Sequence, residues 1–520
     1  NSECCKQRAV RGPDLTGFKA SSLKSSPKRS GPLGCYNSLM IRTRIAPSPT
    51  GIAHLGTAYT AMRNYALAKK NGGKFVIRIE DTDRERYVEG AVEIVLEGLK
   101  WLGIEHDEGP DIGGPHKPYT QSERLPIYQE HAEALLESGN AYHCFCTKER
   151  LAEVRLTQQK NKELPRYDRL CRNLDPAESK KRVASGEAHV LRLKVPSSGT
   201  TTCTDAIRGD VTWENSGIDD QVIVKTDGYP TYHLGVIVDD HLMGITHIIR
   251  GEEWLSSSPK HVLLYEAFGW DLPVFAHLPI IRNRDHSKMS KRKNDVSILS
   301  HRDKGYLPEA INNFLGLMGW SHPEKKELFS LTEFVDSFSL DRITKTAPVY
   351  DLDKLNWLNG QHIRLLTDDD LLERLLAPTG AKGEGGFIPS DCSPELARKI
   401  LPHIKERLVT LADFEKLTTF FYRDIKVDDK LLHKKSDVDQ VKTQLLESLK
   451  IIEQLSSSEF TATRLEEIFR ELSIKNDWKF GQFFMMLRIA ITGEKATPPL
   501  FDTMTVLGQQ LVLSRLKNLT

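Results

Sequence analysis

The sequence predicts an α/β protein in which a parallel, doubly wound sheet comes first, a segment of mixed character interrupts it, and an all-helical region follows. Three observations carry this. A strand-like run at residues 41–46 stops at Pro47-Ser48-Pro49-Thr50-Gly51, which can continue neither a strand nor a helix. Helical, strand and helical patterns then alternate, as at the start of a parallel sheet with helices on its faces. From about residue 307 the apolar spacing is helical almost throughout, and no alternating strand pattern occurs in the last 150 residues.

In order, a helix is expected over about 57–70 and a β-rich run over 74–80. A second helix carries Val92, Val95, Leu96, Leu99 and Leu102 on one face, at the 3.6-residue period. Residues 122–232 read as an insertion. Val236–Asp239 and His247–Arg250 resume a strand pattern and close the first fold. The spans 438–455 and 483–491 have helical spacing with polar faces, so the final segment is one helical domain or two. Expected boundaries are 1–39 (tail), 40–121 and 233–285 (the two halves of the sheet domain), 122–232 (insertion), 286–365 (a cationic loop and the segment after it) and 366–520 (helical region).

The first 39 residues are basic, Ser-rich and nearly free of acids, with no hydrophobic periodicity. They read either as an organellar transit peptide or as upstream read-through ahead of a natural start at Met40. The first reading places the protein in the mitochondrial matrix, the second in the cytoplasm. No run approaches the roughly 18 apolar residues of a membrane span, and no membrane partner is expected. Lys plus Arg number 72 and Asp plus Glu 71, so any basic surface must be concentrated locally. Eight cysteines in 520 residues make no disulfide framework.

Three constellations carry chemistry. The first is the string from Arg44 to Thr57, which includes His54-Leu55-Gly56-Thr57. Strand end, glycine-containing loop and helix start follow at once, so backbone N–H groups and the positive end of a helix meet at a point that suits phosphate. His54 can donate to a phosphate oxygen as charge grows there. The second is the cation-dense loop Arg282 to Lys293, in which Lys288 and Lys291 can grip a triphosphate. The third is Cys144-Phe145-Cys146 with Tyr167 and Cys171. Three thiolates and one further donor make a tetrahedral zinc site, or else these are free thiols packed under a loop.

The first two strings resemble the paired signatures, usually written HIGH and KMSKS, of class I aminoacyl-tRNA synthetases. Further strings narrow the resemblance: Arg78 to Arg84, Asp227 to His233, Val238 to His241, Arg250-Gly251-Glu252-Glu253-Trp254, and Asp351 to Asn359. Together they look like bacterial-type glutamyl-tRNA synthetase over residues 41–516. The resemblance implies a Rossmann-like catalytic domain with an inserted acceptor-stem-binding domain, a stem-contact segment, and an all-α anticodon-binding region. It implies glutamate activation by ATP with Mg2+, then transfer to the 3′ end of tRNA(Glu). Arg44, Ser48, Glu80, Tyr232 and Arg250 match positions that hold the amino acid. His54, Gly56, Glu253, Trp254, Lys288 and Lys291 match positions around ATP, with His54, Lys288 and Lys291 as the catalytic set. Some relatives hold one structural zinc with the Cys144, Cys146, Tyr167, Cys171 arrangement. A monomer is expected.

Val236 departs from the family by standing where relatives carry a polar residue near the substrate. Arg78 and Asp81 read equally well as a surface ion pair flanking their strand. Glutaminyl relatives read the anticodon with β-barrels, which the helical end argues against. A truncated relative that modifies a tRNA base lacks the region beyond about residue 366. The sequence leaves open whether tRNA(Gln) is charged as well, because that rests on fine local contacts to single bases. Lys399, Lys405, Arg407 and Arg464 are candidate phosphate contacts in the helical third, or simply solvated helix faces.

Overall fold

Strands β1 (Arg42–Ile45) and β2 (Lys74–Ile77) lie parallel, with Arg44 opposite Val76. Helix α1 (Leu55–Lys70) connects them and buries Ala58, Ala61, Ala66 and Ala68. Side chains this small let a helix lie close against the strands. This computed structural model describes residues 40–49, 51–83, 86–289, 296–378, 385–434 and 437–520. The transit-like or read-through tail lies outside the described residues.

Helices α2 (Ala91–Trp101) and α3 (Leu125–Glu137) lead into β3 (Ala141–Cys144), α4 (Lys148–Lys160), α5 (Pro176–Ala184) and β4 (Val190–Leu193). The hairpin β5 (Thr200–Asp205) and β6 (Gly209–Glu214) precedes β7 (Val222–Val224). Strands β3, β4 and β7 form a three-stranded antiparallel sheet. The chain then runs through α6 (Tyr232–Leu242), β8 (His247–Gly251), α7 (Ser258–Phe268) and β9 (Val274–Leu278). Strands β8 and β9 are parallel, and β5 joins β9 through Asp205 opposite Phe275. The Thr246 N–H donates to the Arg42 carbonyl at 3.0 Å, which sets β8 beside β1. The strand ends that carry Arg44 and Arg250 thus lie on neighbouring strands.

One expectation fails here. Residues 236–239 are helix, within α6, and not strand. Leu234 to Asp240 are all buried, so no polar face interrupts the apolar run. A β-branched run buried on every side has no period to distinguish helix from strand.

No strand follows β9 among the described residues. Helix α8 (Ile298–Asp303) is followed by α9 (Pro308–Leu317) and α10 (Leu331–Ser337), which pack on α1 and on each other, and by α11 (Leu352–Leu365), which packs on α9. The remainder comprises α12 (Asp368–Leu376), α13 (Pro394–Ile404), α14 (Asp413–Thr418), α15 (Asp429–Leu432) and α16 (Val438–Gln454). It ends with α17 (Ala462–Lys475), α18 (Phe480–Thr492), α19 (Leu500–Leu507) and α20 (Gln509–Lys517). It holds two cores, one around Leu371, Ile400, Leu401 and Phe414, the other around Leu445, Phe469, Leu487 and Met504. Among the described residues no helix is long and apolar enough to cross a membrane.

The entry to β2 tolerates no side chain at Gly73. A Cβ there would lie 2.0 Å from the Ile41 carbonyl oxygen, which already accepts the Lys74 N–H at 2.8 Å. Gly73→Ala should therefore destabilise the protein by about 1–3 kcal/mol through overpacking against backbone. A thermal melt checks this, and an unchanged transition would show that the junction has slack.

Candidate active site

The ends of β1 and β8 and the first turns of α1 and α6 enclose a cavity of about 1140 Å3. Its lining includes Arg44, Ser48, Glu80, Tyr232 and Arg250, and also His54, Gly56, Glu253, Trp254 and Lys288. Residues that the sequence scatters over more than two hundred positions thus face one space. Lys291, within 290–295, lies outside the described residues. Val236 points elsewhere: it is 1% exposed, packs in the core with Leu234 and Ile248, and does not line the cavity.

At one end of the cavity stands a buried ionic cluster. The Arg44 guanidinium donates to both carboxylate oxygens of Asp240, at 3.0 and 3.1 Å. Arg78 donates to Asp240 at 2.7 Å and to Glu80 at 3.0 Å, and its Nε lies 3.5 Å from Asp239. Asp239 in turn accepts from Arg124 at 2.7 Å, Tyr128 at 2.8 Å and Gln121 at 2.9 Å. Arg78 is fully buried, so the surface ion pair with Asp81 does not form, and Asp81 instead accepts the Ser122 N–H at 2.8 Å. Burial by itself would raise the Asp240 carboxyl, but Arg44 and Arg78 hold it below its ordinary value. Burial pushes the Glu80 carboxyl up, against the pull of Arg78 and Arg44. Arg44, Arg78 and Arg124 are matched one for one by Glu80, Asp239 and Asp240, and buried charges persist only when paired in this way.

Arg250 is different. It is 5% exposed, and none of its partners among the described residues is a carboxylate. It donates to Tyr232 Oη at 3.0 Å, His261 Nδ1 at 3.1 Å, His277 Nε2 at 3.0 Å and Ser258 Oγ at 3.3 Å. The Tyr232 ring also meets the Trp254 ring at 4.2 Å between centroids. The adjacent Glu252 does not face Arg250. It is ion-paired with Arg208 and accepts the Ile280 N–H at 3.1 Å.

The other end of the cavity is built by α1 and the loop after β9. His54 caps α1, its Nδ1 accepting the Gly56 N–H at 2.9 Å. That bond fixes the neutral tautomer with the proton on Nε2, a donor. A Cβ at position 56 would stand 3.1 Å from His54 Nδ1, so glycine lets the ring fold back. The expectation of open N–H groups here needs correction. Leu55 N–H donates to Val296 and the Thr57 and Ala58 N–H groups to His54, so the imidazole is what α1 offers a ligand. The pairing is mutual, for Ile298 N–H donates to Ala53 at 2.9 Å. The far end of the cationic loop is therefore stitched to the start of α1. At its near end Arg284 forms ion pairs with Asp351 and Asp353 at 2.6 Å each.

The third constellation also converges. Cys146 Sγ lies 3.6 Å from Cys171 Sγ, and Tyr167 Oη lies 3.3 Å from Cys144 Sγ and 3.5 Å from Cys146 Sγ. The three thiols are within 4.8 Å of one another. A tetrahedral zinc with Zn–S of about 2.3 Å and Zn–O of about 2.0 Å has edges of about 3.5–3.8 Å, so these donors fit one. Hydrogen bonding with Cys171, Tyr167 and Arg192 favours the thiolate of Cys144, while the same contact raises Cys171, so without a metal the cluster holds one thiolate and not three.

Several residues that stand behind the cavity wall gave no chemical signal in the sequence. Asp239 and Asp240 were visible only inside a family string. Asp205, His261 and His277 were not singled out at all, because single acids and histidines in apolar runs mark no period or motif. The matched register of β8 and β9, with Arg250 opposite His277, is what brings them together.

Comparison with known proteins agrees with this arrangement. A family model described as tRNA synthetases class I (E and Q), catalytic domain, matches residues 40–357, and an anticodon binding domain model matches residues 370–520. The glutamate–tRNA ligase of Thermus thermophilus is 46% identical over 488 residues, covering 92% of this chain and 99% of its own. That of Fusobacterium nucleatum is 44% identical, covering 92% and 97%. A crystal structure of a glutamate tRNA ligase from Elizabethkingia meningosepticum in complex with its amino acid superposes with a TM-score of 0.84 at 35% identity, over 92% of this chain and 99% of that one. The two family models and the similarity over 92% of the chain lead to one assignment: the chain belongs to the class I tRNA synthetases of the glutamate and glutamine family.

Proposed function

We propose that this chain is a glutamate–tRNA ligase, which activates glutamate with ATP and esterifies it to the 3′ end of tRNA(Glu). The observation that carries the choice of amino acid is Arg250, a buried guanidinium in the cavity wall with only neutral partners. Such a cation favours a ligand that brings a carboxylate. Arg44 takes the second carboxylate through the edge that Asp240 does not occupy, Tyr232 orients the substrate, and Glu80 meets the ammonium. Ser48, at the rim beside β1, adds a hydroxyl contact.

At the other end His54, Gly56, Glu253, Trp254, Lys288 and Lys291 hold ATP, which enters as its magnesium complex. The α-carboxylate oxygen of glutamate attacks the α-phosphorus, the α–β phosphoanhydride bond breaks, and pyrophosphate leaves. A ribose hydroxyl of the tRNA end then attacks the glutamyl carbonyl, giving the ester and AMP. His54 Nε2–H and the two lysines stabilise phosphate charge, and the protein supplies no covalent nucleophile.

For tRNA, residues 122–232 serve the acceptor stem and 366–520 the anticodon. The exposed Lys399 and Arg407 remain candidates for phosphate contact. Lys405 is paired with Asp368 at 3.1 Å and Arg464 with Glu467 at 3.3 Å, so these two contribute less. Cys144, Cys146, Cys171 and Tyr167 would hold one structural zinc. Bound there, zinc would cross-link the segment at the end of β3 to the segment after α4, and would take no step of the reaction.

The activity is tested by charging purified tRNA(Glu) and tRNA(Gln) with glutamate and with glutamine. Glutamate on tRNA(Glu) is the expected product, and its absence would overturn the assignment. Arg250→Ala should lower kcat/KM for glutamate in tRNA-dependent ATP–pyrophosphate exchange by about 100-fold or more, since a substrate carboxylate would lose its buried cation. An unaltered value would place the carboxylate elsewhere. Elemental analysis of purified protein should give one zinc per chain. Cys171→Ser should release it and lower the melting temperature, and metal-free protein with an unshifted melt would leave the thiols as packing only.

A further inference from the structure

Arg250 and His277 stand opposite each other in the register of β8 and β9, so their side chains leave the same face of the sheet. Asp205, at the end of β5, pairs next door, opposite Phe275. Its Oδ2 lies 2.6 Å from His277 Nδ1, and its Oδ1 accepts the N–H groups of Ile207 and Arg208 at 2.9 and 2.8 Å. The His277 backbone N–H adds a further donor at 3.0 Å. Asp205 is thereby held on all sides and cannot turn.

The proton positions follow from the partners. A carboxylate only accepts, so His277 Nδ1 carries a hydrogen. An arginine Nε only donates, and it faces His277 Nε2 at 3.0 Å, so that nitrogen is a lone pair. The ring is neutral, with its tautomer set from both sides. The chain of neutral rings continues past Arg250. His261 Nδ1 accepts from Arg250 at 3.1 Å, its Nε2–H then faces His233 Nδ1 at 3.1 Å, and both rings are neutral acceptors on that side. Burial, together with the Arg250 charge, pushes His277 and His261 below the ordinary histidine value, and burial takes His233 to about 4.

The guanidinium is thus gripped from behind by lone pairs and not by a carboxylate, unlike Arg44 and Arg78. Asp205, the nearest acid in this network, reaches Arg250 only through an intervening imidazole. A direct ion pair would neutralise Arg250 and draw it out of the cavity wall. A neutral acceptor aims it and leaves its charge for the ligand. We propose that His277, oriented by Asp205, is a positioning residue for amino-acid selection that presents Arg250 to the side-chain carboxylate of the substrate. This rests on the glutamate-ligase reading. Glutamine, with an amide in place of that carboxylate, would leave a buried cation without a counter-charge, so the same device rejects it.

Two substitutions separate the faces of the ring. His277→Gln can place an amide oxygen near the position of Nε2 and accept from Arg250. His277→Asn can place an amide nitrogen near Nδ1 and satisfy Asp205, but leaves Arg250 without its acceptor. In tRNA-dependent ATP–pyrophosphate exchange, His277→Asn should raise KM for glutamate about tenfold or more, the size of one hydrogen bond to a charged group. It should also narrow the preference for glutamate over glutamine, while KM for ATP stays within about twofold. His277→Gln should lie nearer the parent protein. The reverse order would mean that His277 serves only to anchor Asp205, and equal, parent-like values in both variants would overturn the proposal as well. Parent protein that fails to use glutamate would sink the ligase reading itself, an outcome distinct from either. Should His277→Asn not fold, 15N NMR of histidine-labelled parent protein decides. The proposal requires a neutral His277 ring with the proton on Nδ1 at pH 7, and an imidazolium or an Nε2–H ring would refute it.

Discussion

Two adjacent aspartates on α6 impose the constraint from which the rest of the catalytic half is built. Asp239 and Asp240 are both fully buried, and successive helix positions send them in different directions. Asp240 reaches Arg44 on β1 and Arg78 beyond β2, while Asp239 reaches Arg124 and Tyr128 at the start of α3. One helix is thereby keyed to three separate segments through charges that have no solvent to fall back on. A buried cluster of this sort is not a cheap source of stability, since desolvation offsets most of the attraction. What it gives is position. Rotating or sliding α6 would leave guanidinium groups unpaired in the interior, so Arg44, Glu80 and Tyr232 reach the cavity wall in a fixed relation.

Against that neutralised cluster, the treatment of Arg250 is the informative contrast. Arg44 on β1 and Arg78 just past β2 are held by acids, whereas Arg250 on the neighbouring β8 is held by imidazoles, a phenol and a hydroxyl. Arg78 is committed to the architecture, Arg44 keeps only the edge that Asp240 leaves open, and Arg250 retains a field directed into the cavity. In a buried site of low effective dielectric, one unbalanced charge dominates the selection of ligand. The aromatic contact of Tyr232 with Trp254 adds a wall that adjusts to contact area and not to charge.

The cationic loop relates to this frame by its ends. Its exit is paired with the residues ahead of α1, and Arg284 near its entrance is tied to the first turn of α11. The helix that opens toward the helical third therefore touches the segment whose Lys288 and Met289 line the cavity. These exposed ion pairs are individually weak.

The sequence by itself determined the order of the elements up to α2, the helical nature of the last third, and the family. Those rest on local chemistry: a proline-rich strand stop, a period of 3.6, and strings such as His54 to Thr57 that carry meaning at consecutive positions. It misjudged 236–239, where burial on every side erases the period that separates helix from strand, and it left Arg78 open between a part in the family string and a surface pair with Asp81. Only the tertiary structure decided which charges neutralise one another. Asp240 lies almost two hundred positions from Arg44, and Asp205 some seventy from His277, so neither pairing has any local signature. The tautomers around Arg250 were likewise beyond the sequence, because a histidine's proton is placed by the partner that faces it, and strand register alone brings that partner into reach.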